Sequence, residues 1–355
     1  MKIEKTPYSR ISQVDFKHLG FGRYCSDHML CCTFKDNQWK DSVIKPFGDL
    51  TVSPTCLAFH YGQAIFEGMK AYKDRQGKVF LFRPEENFKR INRSAQRMEM
   101  PEIPEKIFME NLKILTDIDR DWVPIEYGQS LYLRPFMIAT GNVLVANPSK
   151  EYLFIIISSP SGAYYEKPLK IKVEQKYSRS AHGGIGFTKT AGNYAASFHP
   201  TRLAQEKGYD QILWTDSSSH TLIEESGTMN VFFYLEDRLI TPPAGDSILG
   251  GITRKSIIEL ARKEGIKVQE RNFSVSEMID SLKKGLIKEA FGCGTAVVTN
   301  VFKIIGYEDV DFYLPDIPNN DRISFRLKKR LLDIQHNLAE DPFSWRVEVK
   351  NKQIT

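Results

Sequence analysis

Residues 183–194 read Gly183-Gly184-Ile185-Gly186-Phe187-Thr188-Lys189-Thr190-Ala191-Gly192-Asn193-Tyr194. A lysine stands here among glycines and other small residues, which would let a bulky planar group come close to its amine. Schiff-base chemistry requires that amine to shed its proton, which burial or a neighbouring charge can bring about. A lysine in a glycine-rich loop is otherwise a solvated surface charge. The stretch alone leaves both readings open.

Further along, Leu222-Ile223-Glu224-Glu225-Ser226-Gly227-Thr228-Met229-Asn230 places Glu225 just ahead of an apolar strand. A buried carboxylate there needs a cationic partner, and a protonated pyridine nitrogen is one. A strand-end charge facing water is the other reading. Gly250-Gly251 precedes a helical pattern, so the N–H groups of Ile252 and Thr253 would point at a bound anion. Gly292-Cys293-Gly294-Thr295-Ala296 is a second glycine turn able to present N–H donors. Arg90 lies on a predicted helix, offset from its apolar stripe, and with Arg93 and Arg97 it would ordinarily form a solvated basic face.

The surrounding pattern is mixed. Residues 64–72 and 78–83 read as strands around a turn at 73–77. Pro84 then opens a helix with Glu85 and Glu86 in its first turn; Phe88, Ile91, Ala95 and Met98 mark its buried stripe and Pro101 its end. The apolar run 152–158 predicts a buried strand. Ser159-Pro160-Ser161-Gly162-Ala163, followed by Pro168, predicts a linker. Strands are expected at 210–214, 228–235 and 239–241, and a helix at 252–264 with Gly265 as its stop. The class is α+β, with a small domain at 1–158, a connecting loop at 159–168 and a large domain at 169–355. Two domains suit a chain of 355 residues.

Composition excludes more than it selects. A net charge of +5, with basic residues spread rather than clustered, gives no footprint for nucleic acid. The five cysteines lack a C-x-x-C pair and the seven histidines lack ligand spacing, so no metal site is expected. The longest apolar run, 153–157, is far short of the ~20 residues that span a bilayer. Met1–Arg10 has no apolar core for a signal peptide, and the expected compartment is the cytoplasm.

Taken in order, these segments resemble the branched-chain-amino-acid aminotransferases, pyridoxal-phosphate enzymes of fold type IV. HYGQAIFEGMKAY (60–72), SLYLRP (130–135), KTAGNYAAS (189–197), EESGTMNVFF (224–233), ITPPAGDSILGGITR (240–254) and AFGCGTA (290–296) follow the family's order. The resemblance implies a small N-terminal α/β domain and a larger C-terminal domain built on a pseudo-barrel of strands. It implies Lys189 as the catalytic, cofactor-carrying lysine that moves the proton at the substrate's α-carbon, and Glu225 against the pyridine nitrogen. It implies Tyr194 at the phenolic oxygen, and Arg90, Ile252, Thr253 and Cys293 around the phosphate. Thr295 and Ala296 would hold the substrate α-carboxylate, with Tyr61 and Arg134 nearby, while Phe66, Tyr132, Tyr164 and Thr228 shape an apolar pocket. The implied reaction is ping-pong transamination of leucine, isoleucine or valine with 2-oxoglutarate. A homodimer is also implied, with the loop around Gly141–Ala146 contributed across it.

Several positions depart from the family pattern. Cys293 stands where a serine or threonine is usual, and a thiol is a weaker donor. Ser226, Ala191 and Gly250 replace a usual valine or alanine, glycine and proline. Cys25 takes a position that is often aromatic near the side-chain pocket, and Val297 and Asn300 occupy the places of the vertebrate C-x-x-C. These leave room for the same chemistry on an unusual amino acid in a specialised pathway. D-amino-acid transamination and aminodeoxychorismate lysis are the more distant alternatives.

Overall fold

The strands Ser130–Ala139 and Tyr152–Ser161 pair antiparallel along their full length, Ser130 opposite Ser161 and Ala139 opposite Tyr152. From Leu133 onward the first of them alternates buried and half-buried residues, the period of two that one packed face imposes. The computed structural model describes residues 1–162 and 167–351. Tyr164 lies outside the described residues.

These two strands sit at the centre of a ten-stranded sheet. The expected strand at 64–72 is broken into Ala64–Phe66 and Met69–Lys73. At the break, Glu67 donates its N–H to the Pro135 carbonyl at 2.7 Å. Gly68 lies so close to the Tyr132 hydroxyl that a side chain there would collide with it. The helix Pro84–Arg97 has Pro84 in its first turn, as expected, and buries Asn87, Arg90, Ile91, Ser94 and Ala95. Phe88 meets Phe108 of the helix Glu105–Ile118 at 5.8 Å, and Phe108 stacks on Phe154 of the sheet at 6.0 Å.

The chain divides into two compact units: Met1–Tyr164 with Thr188–Ala191 and Leu332–Thr355, and Tyr165–Phe187 with Gly192–Leu331. This differs from the expected division at 159–168 in three ways. The stretch Ser159–Ser161 continues the strand instead of opening a linker, Pro160 standing opposite Leu131. The tail returns to the first unit because Arg346–Val349 pairs antiparallel with Val79–Phe82. The lysine segment belongs to the first unit as well.

In the second unit eight strands of a nine-stranded sheet follow the order Ile223–Ser226, Gln211–Thr215, Leu169–Val173, Val298–Tyr307, Ile287–Gly294, Met229–Leu235, Arg238–Thr241, Lys267–Glu270, and the ninth, Val310–Tyr313, pairs with Val298–Tyr307. An additional pairing joins Ile223–Ser226 to Met229–Leu235 and closes the first six of these strands into a ring, the expected pseudo-barrel. Phe233, Ile240, Phe273, Met278 and Ile305 are among the residues of its core. The helix Ile252–Lys263 carries Arg262 and Lys263 in its last turn, where cations suit the dipole. Gly265, with φ 75°, leads the chain away.

Candidate active site

In the first unit the lysine segment is stitched alongside Ala64–Phe66. Phe66 donates its N–H to the Lys189 carbonyl and Ala191 donates to Ala64, both at 3.0 Å, with Thr190 opposite Ile65. The Lys189 N–H is donated to Ser94 Oγ at 3.0 Å. The backbone is therefore fixed from a strand and a helix together. The Lys189 side chain is half-buried, and its amine lies 4.7 Å from the centre of the Phe66 ring. This is not the environment of a solvated surface charge.

The Arg134 guanidinium lies 4.5 Å from the same ring and donates to the Tyr132 hydroxyl at 2.8 Å. Phe66, Tyr132, Arg134 and Lys189 thus form one cluster, with an aromatic surface for apolar groups and a guanidinium for carboxylates. Phe21 joins it, edge-on to Tyr132 at 4.9 Å. Sequence reasoning missed Phe21; its signal was an aromatic between two glycines, both at positive φ. Cys25, read as the pocket position, is half-buried, and burial pushes its thiol pKa up. Tyr61 is exposed and gives its hydroxyl to the Leu144 carbonyl at 3.1 Å.

Arg90 is buried, contrary to the solvated basic face that it would ordinarily form with Arg93 and Arg97. Its Nε and Nη2 each reach a different oxygen of Glu67 at 2.7 Å, and Asn87 Nδ2 donates to Glu67 Oε2 at the same distance. The fork uses one edge of the guanidinium, and Nη1 lies on the other.

In the second unit Glu225 is buried and held from three sides. Asn230 Nδ2 and the Leu249 N–H each donate to its Oε1 at 2.9 Å, and Arg179 Nε stands 3.0 Å from Oε2. This carboxylate is buried and anchored by hydrogen bonds and an ion pair, and the reading of a strand-end charge facing water falls. Asn230 also donates to the Leu249 carbonyl at 2.9 Å. Its Oδ1 sits where a side chain on Gly251 would go, so only glycine fits there. Gly251 caps the helix Ile252–Lys263 without a side-chain cap bond, and the first-turn N–H groups of Ile252 and Thr253 have no partner within the helix.

Cys293 is fully buried, opposite Asn230 and Thr299 in the strand ladders, and burial holds its thiol protonated. Beyond it the turn Thr295–Val297 closes between the paired residues Gly294 and Val298. Val298 has φ 61°, a strained conformation for a β-branched residue. The Thr228 carbonyl lies against Gly294, which sets Thr228 beside this turn. Tyr194 falls within the helix Gly192–Glu206, which begins where the glycine-rich loop was expected to continue.

The family model for class IV amino-transferases matches residues 64–304. A Staphylococcus aureus (strain N315) protein named "Probable branched-chain-amino-acid aminotransferase" is 48% identical over 338 residues, covering 93% of each chain. Bacillus subtilis (strain 168) "Branched-chain-amino-acid transaminase 1" is 43% identical over 351 residues, covering 98% of each. The chain belongs to the branched-chain-amino-acid aminotransferase family. The solved pyridoxal-phosphate form of the Thermobaculum terrenum branched-chain amino acid aminotransferase shares the fold, with a TM-score of 0.71 at 22% identity over 91% of this chain and 98% of that one.

Members of the class depend on pyridoxal phosphate, and this family member has the donor set for it. A glycine-capped helix N-terminus suits a phosphate. A buried carboxylate with two fixed donors and an arginine beside it suits a pyridinium, and a half-buried lysine on a rigid segment suits a carbonyl carbon. Arg179 and Asn230, which hold Glu225, were not singled out by sequence reasoning. Asn230 stood in a quoted motif, while Arg179 lies ten residues before Lys189 in a loop with no periodicity to mark it. Among the described residues no cluster of metal-ligating side chains occurs, and no helix is long and apolar enough to cross a membrane.

Proposed function

We propose that this enzyme moves the amino group of leucine, isoleucine or valine to 2-oxoglutarate with pyridoxal phosphate as cofactor. The observation that supports the cofactor chemistry best is the anchoring of Glu225 by Arg179, Asn230 and Leu249. When bound, pyridoxal phosphate supplies an electron sink conjugated to the substrate's α-carbon. Glu225 holds the proton on the ring nitrogen, and Tyr194 hydrogen-bonds the phenolic oxygen. Arg90 and the N–H groups of Ile252 and Thr253 would hold the phosphate, and Cys293 would add a weak donor. Lys189 would hold the cofactor through its amine and would serve as the base that moves the proton at the substrate's α-carbon.

Thr295 and Ala296 offer N–H groups to the α-carboxylate. Phe66, Tyr132, Phe21 and Thr228 give the apolar side chain its surface, with Tyr61 at the edge. Arg134 takes the γ-carboxylate of 2-oxoglutarate, so one site serves both substrates in turn and the kinetics are ping-pong.

The enzyme works as a homodimer in the cytoplasm. Val143, Leu144 and Val145 are each more than half exposed, as is Phe59, and an apolar patch of this kind supports an interface. A panel of L- and D-amino acids with keto-acid detection tests the substrate class. Transfer from D-alanine but not from leucine, isoleucine or valine would overturn it. Sedimentation of wild type and Leu144→Asp tests the dimer, which the variant should weaken.

A further inference from the structure

Arg90 and Ser94 stand one turn apart on the helix Pro84–Arg97, so they share one face of it, and both are buried. The Ser94 hydroxyl has one proton, which it donates to the Arg90 carbonyl at 3.0 Å. It therefore meets the Lys189 N–H, also at 3.0 Å, as the acceptor. One oxygen atom thus joins the backbone of the proposed phosphate anchor to the backbone of the proposed cofactor-carrying lysine. Two further connections stiffen the arrangement. The Arg90 guanidinium is forked onto Glu67, the residue directly after the strand Ala64–Phe66. The lysine segment is paired with that same strand through Phe66 and Ala64. Helix, strand and lysine segment are tied pairwise, and Ser94 ties the helix to the segment. On either side of Lys189, Thr188 and Thr190 are buried and their hydroxyls bond one another. Alternation then turns the Lys189 side chain to the other side of the segment, where its amine lies over the Phe66 ring.

We propose that Ser94 is a positioning residue that holds the Lys189 amine at a set place relative to Arg90, so that both ends of one cofactor are met together. This rests on the cofactor reading given above. Pairing with Ala64–Phe66 fixes the lysine segment along the strand and leaves it free to rotate about the strand axis. The Ser94 bond, made from the helix, stops that rotation. Arg90 itself keeps its place through Glu67 when Ser94 is changed. Pre-organisation of this kind favours a ligand that uses both ends and is indifferent to one that uses only the phosphate end. Pyridoxal phosphate has a phosphate and an aldehyde with which the lysine amine can condense, releasing water. Pyridoxamine phosphate has the same ring and phosphate, with an amine in place of the aldehyde. The difference between the two affinities therefore reports the position of the lysine, whereas a general loosening of the fold lowers both.

The test titrates full-length apoprotein with pyridoxal phosphate and, separately, with pyridoxamine phosphate, by calorimetry. Variants are Ser94→Ala and Ser94→Thr. Alanine is the best helix former, so the helix itself is kept. Ser94→Ala should weaken pyridoxal phosphate binding by about tenfold, the scale of one hydrogen bond. Its affinity for pyridoxamine phosphate should stay within roughly threefold of wild type. Ser94→Thr keeps the hydroxyl and should restore pyridoxal phosphate binding to within roughly threefold of wild type. An unchanged pyridoxal phosphate affinity in Ser94→Ala would overturn the proposal, as would equal losses for the two compounds. A folded Ser94→Thr as weak as alanine would overturn it too. If the extra methyl keeps Ser94→Thr from folding, the two affinities of Ser94→Ala still decide. Wild type that binds neither compound would instead overturn the cofactor reading itself.

Discussion

Arg90 and Glu67 form a buried fork in which Nε meets Oε1 and Nη2 meets Oε2, both at 2.7 Å. The pair ties the helix Pro84–Arg97 to the break between two strands, next to the Gly68 site where Tyr132 approaches. Removing one partner leaves a buried charge uncompensated, which costs about 3–5 kcal/mol. Glu67→Ala should therefore destabilise the apoprotein by that order in urea unfolding. A loss below about 1 kcal/mol would mean that the Arg90 charge finds other support in the fold.

Lys189 contributes to the fold through its backbone: the bonds to Phe66 and Ser94 use its carbonyl and N–H. Lys189→Ala should thus keep the native circular dichroism spectrum and thermal transition while transamination disappears. Turnover within tenfold of wild type would remove Lys189 from its assigned role.

For Glu225 the expectation follows from its proposed role as counter-charge to the ring nitrogen. Glu225→Gln keeps the shape and loses the anion, leaving Arg179 without its carboxylate. Turnover should fall on the order of 10²-fold or more, roughly 3 kcal/mol of barrier. An unchanged rate with cofactor still bound would show that the ring nitrogen does not depend on this carboxylate.

Local signals in the sequence carried the helices Pro84–Arg97 and Ile252–Lys263 and a minority of the strands, Tyr152–Ser161 and Met229–Leu235 among them, while the helices Glu105–Ile118, Gly192–Glu206, Val275–Lys283 and Ile323–Gln335 went unread. Those signals also failed where distant partners decide. Ser159-Pro160-Ser161 has the composition of a turn, yet pairing with Ser130–Leu131 extends it as strand. The return of Arg346–Val349 to Val79–Phe82 joins residues far apart in sequence, which no periodicity announces. The same holds for Arg90: its position off the apolar stripe looked solvated because Glu67, at the break between two strands, was not visible as its partner. Phe21 and Arg179 lie in loops, where a side chain's role is set by what it meets.

His336 gives the first unit a pH dependence. Its ring is buried beside Tyr72 and Tyr127, at 5.0 and 5.3 Å, and its Nε2 accepts the Gly128 N–H at 3.1 Å. Burial depresses its pKa below 6.5; Lys70 lowers it further, while Asp333 and the hydrogen bond to the Lys73 backbone oppose the shift. The unfolded chain therefore binds a proton at a higher pH than the folded one. Stability is fully present above about pH 6.5 and is lost as pH falls towards the folded pKa, with a slope of at most about 1.4 kcal/mol per pH unit for one proton. His336→Gln should flatten that part of the urea-midpoint profile. An identical profile in wild type and variant would assign the acid loss to other groups.

Cys293 tests whether the buried strand end faces the phosphate. Its thiol is fully enclosed and burial holds it protonated, so it can act only as a weak donor. Cys293→Thr changes volume little and offers a hydroxyl in the same place. If that hydroxyl meets a phosphate oxygen, pyridoxal phosphate should bind more tightly by about 0.5–1.5 kcal/mol, up to roughly tenfold in dissociation constant. The apoprotein should respond in the opposite sense, because a buried hydroxyl without a partner costs about 1–3 kcal/mol. Thermal midpoints of the two forms should then move apart, lower than wild type without cofactor and relatively higher with it. Equal or weaker cofactor affinity in the variant would mean that the side chain points away from the phosphate and that the backbone donors at Ile252 and Thr253, with Arg90, hold it without help from this strand.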